Sequence, residues 1–165
     1  MKGALKFSEM SEEEIDACVK NGMFKDIVFD RECKLPEIFS NTTFLGCNFL
    51  DMSIFHYDFA FAKFDECCFG NCCLYSCGFA SCEFIDCWFE VCEICCCDFA
   101  HAVFQRANFS NNSWWQTSLN HALVGYNSAG IAECEMFAAL AAFEAARAKT
   151  IVIYDDTKKG LGDED

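Results

Sequence analysis

The chain has 165 residues, an apolar fraction of 53% and a formal net charge of −14, a size and composition that suit one domain with a sizeable core. That charge argues against a nucleic-acid-binding surface and against attraction to anionic membranes, because both need patches of Lys and Arg. Its 15 cysteines, an odd number in a sequence with no export signal at its start, point to reduced thiols in a cytoplasmic protein rather than to a secreted disulfide framework.

Residues 1–23 read as an N-terminal helical cap. Ser11 and Glu14 form a capping-box pair, Ile15, Cys18 and Val19 give an apolar stripe, and Asn21-Gly22 supplies the stop. Residues 24–41 read as an irregular first coil, in which Phe24, Phe29 and Phe39 keep a five-residue count that is broken around Lys34-Leu35-Pro36.

From Phe44 the count becomes strict. Sixteen consecutive repeats place a large apolar residue at every fifth position: Phe44, Phe49, Ile54, Phe59, Phe64, Phe69, Leu74, Phe79, Phe84, Phe89, Ile94, Phe99, Phe104, Phe109, Trp114 and Leu119. Two residues before each, the side chain is usually small: cysteine at eight positions from Cys47 to Cys97, alanine at Ala62, Ala102 and Ala107. A period of five advances about 140° per step on a helix and alternates faces on a strand, so neither ordinary element collects these residues on one side. Only a backbone that turns once per repeat does so, which makes residues 42–121 a repeat solenoid. The small residue and the large one lie two apart, which predicts an extended triplet with both pointing inward and the residue between them facing solvent.

Residues 122–165 change character. An alanine-rich stretch, 129–149, follows a helical spacing through Ala132, Met136, Leu140, Phe143 and Ala146. A short apolar strand-like run, 151–154, and an acidic tail follow. Solenoid ends expose core and unpaired backbone, so both terminal segments read as caps. The run 151–154 is more apolar than a cap needs, and Phe143, Ile151, Ile153 and Tyr154 are expected to form a homodimer contact. The longest wholly apolar run, 136–143, is too short to span a bilayer.

The unit of small residue, polar residue and Phe, as in Cys47-Asn48-Phe49 and Ala107-Asn108-Phe109, resembles the pentapeptide-repeat proteins, which implies four repeats per coil. Sorting the repeats onto the four walls so implied locates what faces out. The wall centred on Phe44, Phe64, Phe84 and Phe104 presents the densest acidic group: Asp65, Glu66, Glu83 and Asp86. A third wall lines up Phe55, Tyr75 and Trp115 in one outward column, interrupted by Cys95, with His56 alongside. Both are candidate partner-binding surfaces. The cysteine spacing follows the repeat and sends successive thiols to different walls, so packing accounts for the inward ones and no metal site is expected. Cys68, Cys73, Cys95 and Cys96 are expected to face out and to be oxidisable. The three histidines, His56, His101 and His121, fall at corners. No phosphate loop, nucleophile elbow or metalloprotease motif is present, and a solenoid filled with phenylalanine has no substrate cavity, so neither a cofactor nor an enzymatic activity is expected.

The unit of small residue, polar residue and Phe or Leu, seen in Cys47-Asn48-Phe49, Tyr57-Asp58-Phe59, Cys97-Asp98-Phe99 and Ala107-Asn108-Phe109, resembles the pentapeptide-repeat proteins. The resemblance is tight over 42–121 and loose over 24–41. It implies an all-β fold, a right-handed quadrilateral parallel β-helix with four repeats per coil and helical caps, its regular body about 20 Å tall. Cysteine stands where the family more often has alanine, and the polar middle residue is frequently missing. Within the family the chain is most similar to the quinolone-resistance branch, whose acidic members imitate duplex DNA and protect type II topoisomerase, and whose ending is a helix and a short apolar segment that dimerises. That resemblance implies a protein partner, DNA gyrase or topoisomerase IV, engaged through an acidic rod. Several such members carry loops that interrupt the coils, and no insertion of that kind lies between Phe44 and Leu119. The alternative is a scaffold or regulatory module that holds a partner through the aromatic column.

Overall fold

Four large side chains per twenty residues can meet at one axis only if each arrives from its own wall, and the strands show how the backbone achieves this. The computed structural model describes residues 5–31, 33–36, 39–126 and 152–155. The first wall is a seven-stranded parallel sheet of Met23–Lys25, Thr43–Leu45, Lys63–Asp65, Glu83–Ile85, Val103–Gln105, Leu123–Tyr126 and Val152–Asp155. The second has six strands: Leu5–Lys6, Ile27–Asp30, Asn48–Leu50, Cys68–Gly70, Trp88–Glu90 and Asn108–Ser110. The third has four: Ser53–Phe55, Cys73–Tyr75, Glu93–Cys95 and Ser113–Trp115. The fourth wall is a column of parallel bridges, Asp58 to Gly78 to Asp98 to Ser118. Phe44 pairs with Phe64, Phe64 with Phe84 and Phe84 with Phe104, so one coil is twenty residues, or four repeats. The fold is a four-sided parallel β-helix.

The strand frame differs from the triplet read off the sequence. Each strand is centred on the large residue, as in Thr43–Leu45, and the small residue lies in the corner just before it. The reason is the corner itself. The residue two after Phe24, after Phe39 and after each of the sixteen regular positions takes a left-handed backbone, from Asp26 at φ 55° to His121 at φ 58°. Its N–H then donates to a carbonyl of the next coil, as Gly46 does to Asp65 at 2.8 Å and Glu66 to Ile85 at 2.9 Å. Each turn amide is thereby paired across coils instead of within its own.

Most corner residues are Asp, Asn, Gly, Ser or His, types that tolerate this conformation. Val91, at φ 55°, is β-branched and 50% exposed, and it stands in the corner column between Asn71 and Asn111. Asn71 Nδ2 donates to Asp51 Oδ1 in the preceding coil at 2.7 Å. Val91→Asn removes the steric cost and places an amide where that ladder continues. It should stabilise the protein by about 1 kcal/mol, raising Tm by roughly 2–4 °C in a thermal melt.

Fifteen of the sixteen large repeat residues are buried, and Trp114 is half-buried against the core. Three walls contribute phenylalanine stacks. In the regular coils of the first, Phe44, Phe64, Phe84 and Phe104 lie 4.8–4.9 Å apart and within 8° of parallel. Phe49, Phe69, Phe89 and Phe109 repeat this at 4.7–4.8 Å, and Phe59, Phe79 and Phe99 at 4.7–4.9 Å. Ring spacing thus equals the strand spacing of a sheet, so one geometry satisfies backbone pairing and aromatic stacking together. The third wall fills its share with Ile54, Leu74 and Ile94.

The inward cysteines do more than fill corners. Each of the eight donates its S–H to the carbonyl of the large residue 23 positions earlier, from Cys47 to Phe24 at 3.4 Å to Cys82 to Phe59 at 2.9 Å. In the last coil Thr117 and Asn112 take over, donating to Ile94 and Phe89 at 3.2 and 2.8 Å. Sequence reasoning treated these thiols as packing alone. The signal was available in the last coil, where the two positions that depart from alanine are Asn112 and Thr117, both able to donate a hydrogen bond.

At the N-terminal end the helix Glu12–Asn21 carries its capping box: Ser11 Oγ accepts from Glu14 N–H at 3.3 Å, and Glu14 Oε2 accepts from Ser11 N–H at 2.8 Å. Gly22 closes it at φ 64°. Ile15 and Cys18 rest on the core while Val19 stays exposed. The plug proper is Phe7, which stacks on Phe29 at 5.0 Å and which the five-residue count does not reach. At the other end, Val152–Asp155 pairs in parallel with Leu123–Tyr126. The stretch 129–149, with Phe143, and also Ile151, lies outside the described residues. Among the described residues no helix is long and apolar enough to cross a membrane.

Candidate protein-interaction surfaces

The strand centres point inward, so every outward side chain sits in a vertical column with those twenty residues away. Asp65 and Glu83 flank the centres of the first wall, and Glu66 and Asp86 follow at its corner. By number they are the densest carboxylates of the solenoid. Register, however, brings cations among them. Arg106 Nε and Nη2 clasp the two oxygens of Asp86, one coil away, at 2.6 and 2.7 Å. Lys63 Nζ lies 3.5 Å from Asp65 Oδ2, and Lys63 is also directly across the ladder from Glu83.

Residues 42–121 hold nine Asp and Glu and two cations, Lys63 and Arg106, a net of −7. Both cations belong to the first wall. The other walls carry Asp51, Asp58, Glu90, Glu93 and Asp98, all exposed, with no Lys or Arg in the same coils. Pairing thus reduces the first wall to a net of −2, and the other five carboxylates, with no cation in their own coils, are spread over the remaining three walls. The arithmetic was available in the sequence, since 86 and 106 differ by one coil.

On the third wall, strand register puts Phe55, Tyr75, Cys95 and Trp115 in one outward column. The three aromatics are 48%, 42% and 64% exposed. Phe55 meets Tyr75 edge to face at 6.2 Å, and His56 does the same from the corner at 5.9 Å. Cys95 leaves a notch between Tyr75 and Trp115, two strand spacings or about 9.6 Å from one to the other. Glu93 is two residues from Cys95 in the same strand. Asp58 and Asp98 begin the fourth wall just past the adjoining corner, and each accepts a backbone N–H, from Ala60 and Ala100 at 2.9 Å.

The outward thiols are half-buried. Burial and then nearby Glu90 push the Cys68 thiol up, burial and Glu93 do so for Cys73, and burial and Cys96 for Cys95. Raised thiols hold their protons at neutral pH and make slow nucleophiles. Cys96 Sγ rests 3.6 Å from Gln116 Oε1. Among the described residues no group of three or more His, Cys, Asp or Glu is placed to hold a metal ion. His101 and His121 stack at 5.0 Å, one coil apart.

No family profile matches the chain, and no curated protein does. Among solved structures it is similar to full-length QnrB1, a plasmid-mediated fluoroquinolone resistance protein, at 12% identity with a TM-score of 0.31, over 79% of this chain and 84% of that one. It is also similar to HetL, a pentapeptide-repeat protein involved in heterocyst differentiation regulation in the cyanobacterium Nostoc sp. strain PCC 7120. There the identity is 8% and the TM-score 0.25, over 62% of this chain and 59% of HetL. At these values the architecture rests on the chain's own repeat and strand register.

Proposed function

We propose that this pentapeptide-repeat solenoid is a non-catalytic protein-binding module of the cytoplasm whose contact surface is the third wall. The observation that supports this reading is the column of Phe55, Tyr75 and Trp115, large aromatics in contact with water on a flat sheet. Aromatic residues of this kind anchor interfaces, because they bury much apolar area for few immobilised torsions. The test is capture of the native partner by purified protein. Tyr75→Ala with Trp115→Ser should abolish capture, whereas charge reversal at Glu66 and Asp86 should leave it intact. The opposite pattern overturns the reading.

That opposite pattern would favour the second one, in which the solenoid imitates duplex DNA at a basic site of DNA gyrase or topoisomerase IV. Its support is the net of −7 over a rod roughly 20 Å tall. This is the right sign at about half the density of a duplex, which carries one charge per about 1.7 Å. A supercoiling assay with purified gyrase, with and without quinolone, decides it. Absence of both inhibition and protection at micromolar protein excludes mimicry. In either reading the homodimer contact is assigned to the C-terminal segment, from Phe143 and Ile151 to Ile153 and Tyr154. Sedimentation of Tyr154→Asp against the unaltered chain tests that assignment.

A further inference from the structure

We infer that the occupant of the third wall is an arginine-bearing segment of the partner, with guanidinium groups stacked on Tyr75 and Trp115 and neutralised by the carboxylates beside them. This inference rests on the reading of the wall as a protein-binding surface and adds the chemistry of what binds. Two independent features converge there. The first is the aromatic column with its Cys95 notch, which offers ring faces and edges to a flat cation on either side. The second is the charge distribution. The two cations of the regular coils lie on the first wall, against Asp65 and Asp86, so the carboxylates of Glu93, Asp58 and Asp98 around the column face no Lys or Arg of those coils.

A neutral apolar partner would leave those exposed carboxylates desolvated at the rim, and an acidic one would be repelled. A guanidinium satisfies both features at once, because it stacks on an aromatic ring and still directs its N–H groups sideways to carboxylates. Lysine offers a compact, strongly hydrated point charge without the flat stacking face or the sideways fork of donors. The wall should therefore rank arginine above lysine, and lysine above an uncharged isostere.

The test uses the full-length chain and three fluorescein-labelled peptides of one length, with alternating glycine and either arginine, lysine or citrulline. Binding is followed by anisotropy at fixed ionic strength. The arginine peptide should bind at least about tenfold more tightly than the citrulline peptide. Trp115→Leu, which keeps apolar area without a π face, should weaken it about five- to tenfold, and Glu93→Gln with Asp98→Asn by a similar factor. Glu66→Gln, on the first wall, should change it less than about twofold. All these positions are exposed, so circular dichroism should show native folding in every variant. Equal binding of the arginine and citrulline peptides overturns the inference, as does a loss caused by Glu66→Gln and not by Trp115→Leu. If the peptides fail while Tyr75→Ala with Trp115→Ser still abolishes partner capture, the third wall remains the interface and the arginine assignment falls. If neither experiment responds to the third wall, both fall.

Discussion

Phe79→Asp is expected to leave a chain with no cooperative thermal transition and with the far-ultraviolet circular dichroism of an unfolded polypeptide. Phe79 is wholly buried between Phe59 at 4.9 Å and Phe99 at 4.7 Å, and it also touches Phe64 and Phe84. A carboxylate there loses the stacking on both faces and has no cation within the tube, so its desolvation is uncompensated. The combined cost exceeds the roughly 5–15 kcal/mol by which domains of this size are stable. Phe79→Leu is the control. It matches the side chains that fill the third wall and should cost only about 1–2 kcal/mol, leaving a lowered but cooperative melt. A native-like melt from Phe79→Asp would mean that the ring does not face the axis.

The second large effect is alkaline unfolding. Burial pushes the Cys82 thiol from 9.0 up to about 12. The Cys47 and Cys87 thiols on either side, with burial, leave Cys67 at about 12 as well, and Cys47 is raised by the Cys67 thiol and by burial. The folded state therefore keeps protons that the unfolded chain releases above pH 9. Stability from these thiols is complete below pH 9 and is lost as pH rises towards 12, because ν for the unfolded state falls first. For Cys82 alone the interval amounts to about 4 kcal/mol. Cys92 and Cys77 are lowered by the thiols of Cys72 and Cys97, which are themselves raised, so the net loss rests on Cys82, Cys67 and Cys47. Together these should unfold the protein between pH 9 and 12, with thiolate absorbance and loss of circular dichroism rising together.

Cys82→Ala separates the two roles of the thiol. Alanine occupies the same corner column at Ala62, Ala102 and Ala122, so the replacement fits. It deletes the bond to Phe59 O at 2.9 Å and should lower stability near neutral pH by about 1 kcal/mol. It should also move the alkaline midpoint to higher pH, since one raised group is gone. Thiolate formation without loss of structure would show that the inward thiols ionise in place, against the burial described above.

The five-residue period was sufficient to identify a solenoid and its inward set, because every step from sequence to core is local. The four walls came from the family resemblance and are fixed by the twenty-residue strand register. A turn of fixed length carries each large residue to the axis whatever lies on the neighbouring coil, so phase along the chain decides burial. This is why the three phenylalanine stacks and the aliphatic column of the third wall appear where the count puts them. Other features needed the third dimension, because they depend on the meeting of residues twenty or more positions apart. Arg106 reaches Asp86, and Lys63 stands beside Asp65 and across from Glu83, which halves the net negative charge of the first wall. The inward S–H groups find carbonyls 23 residues back, and Phe7, out of phase with every repeat, closes the top of the tube. Composition specified how much acid, thiol and aromatic surface the protein has. Stacking of coils decided which of those groups are neutralised, which are hydrogen-bonded, and which remain open to a partner.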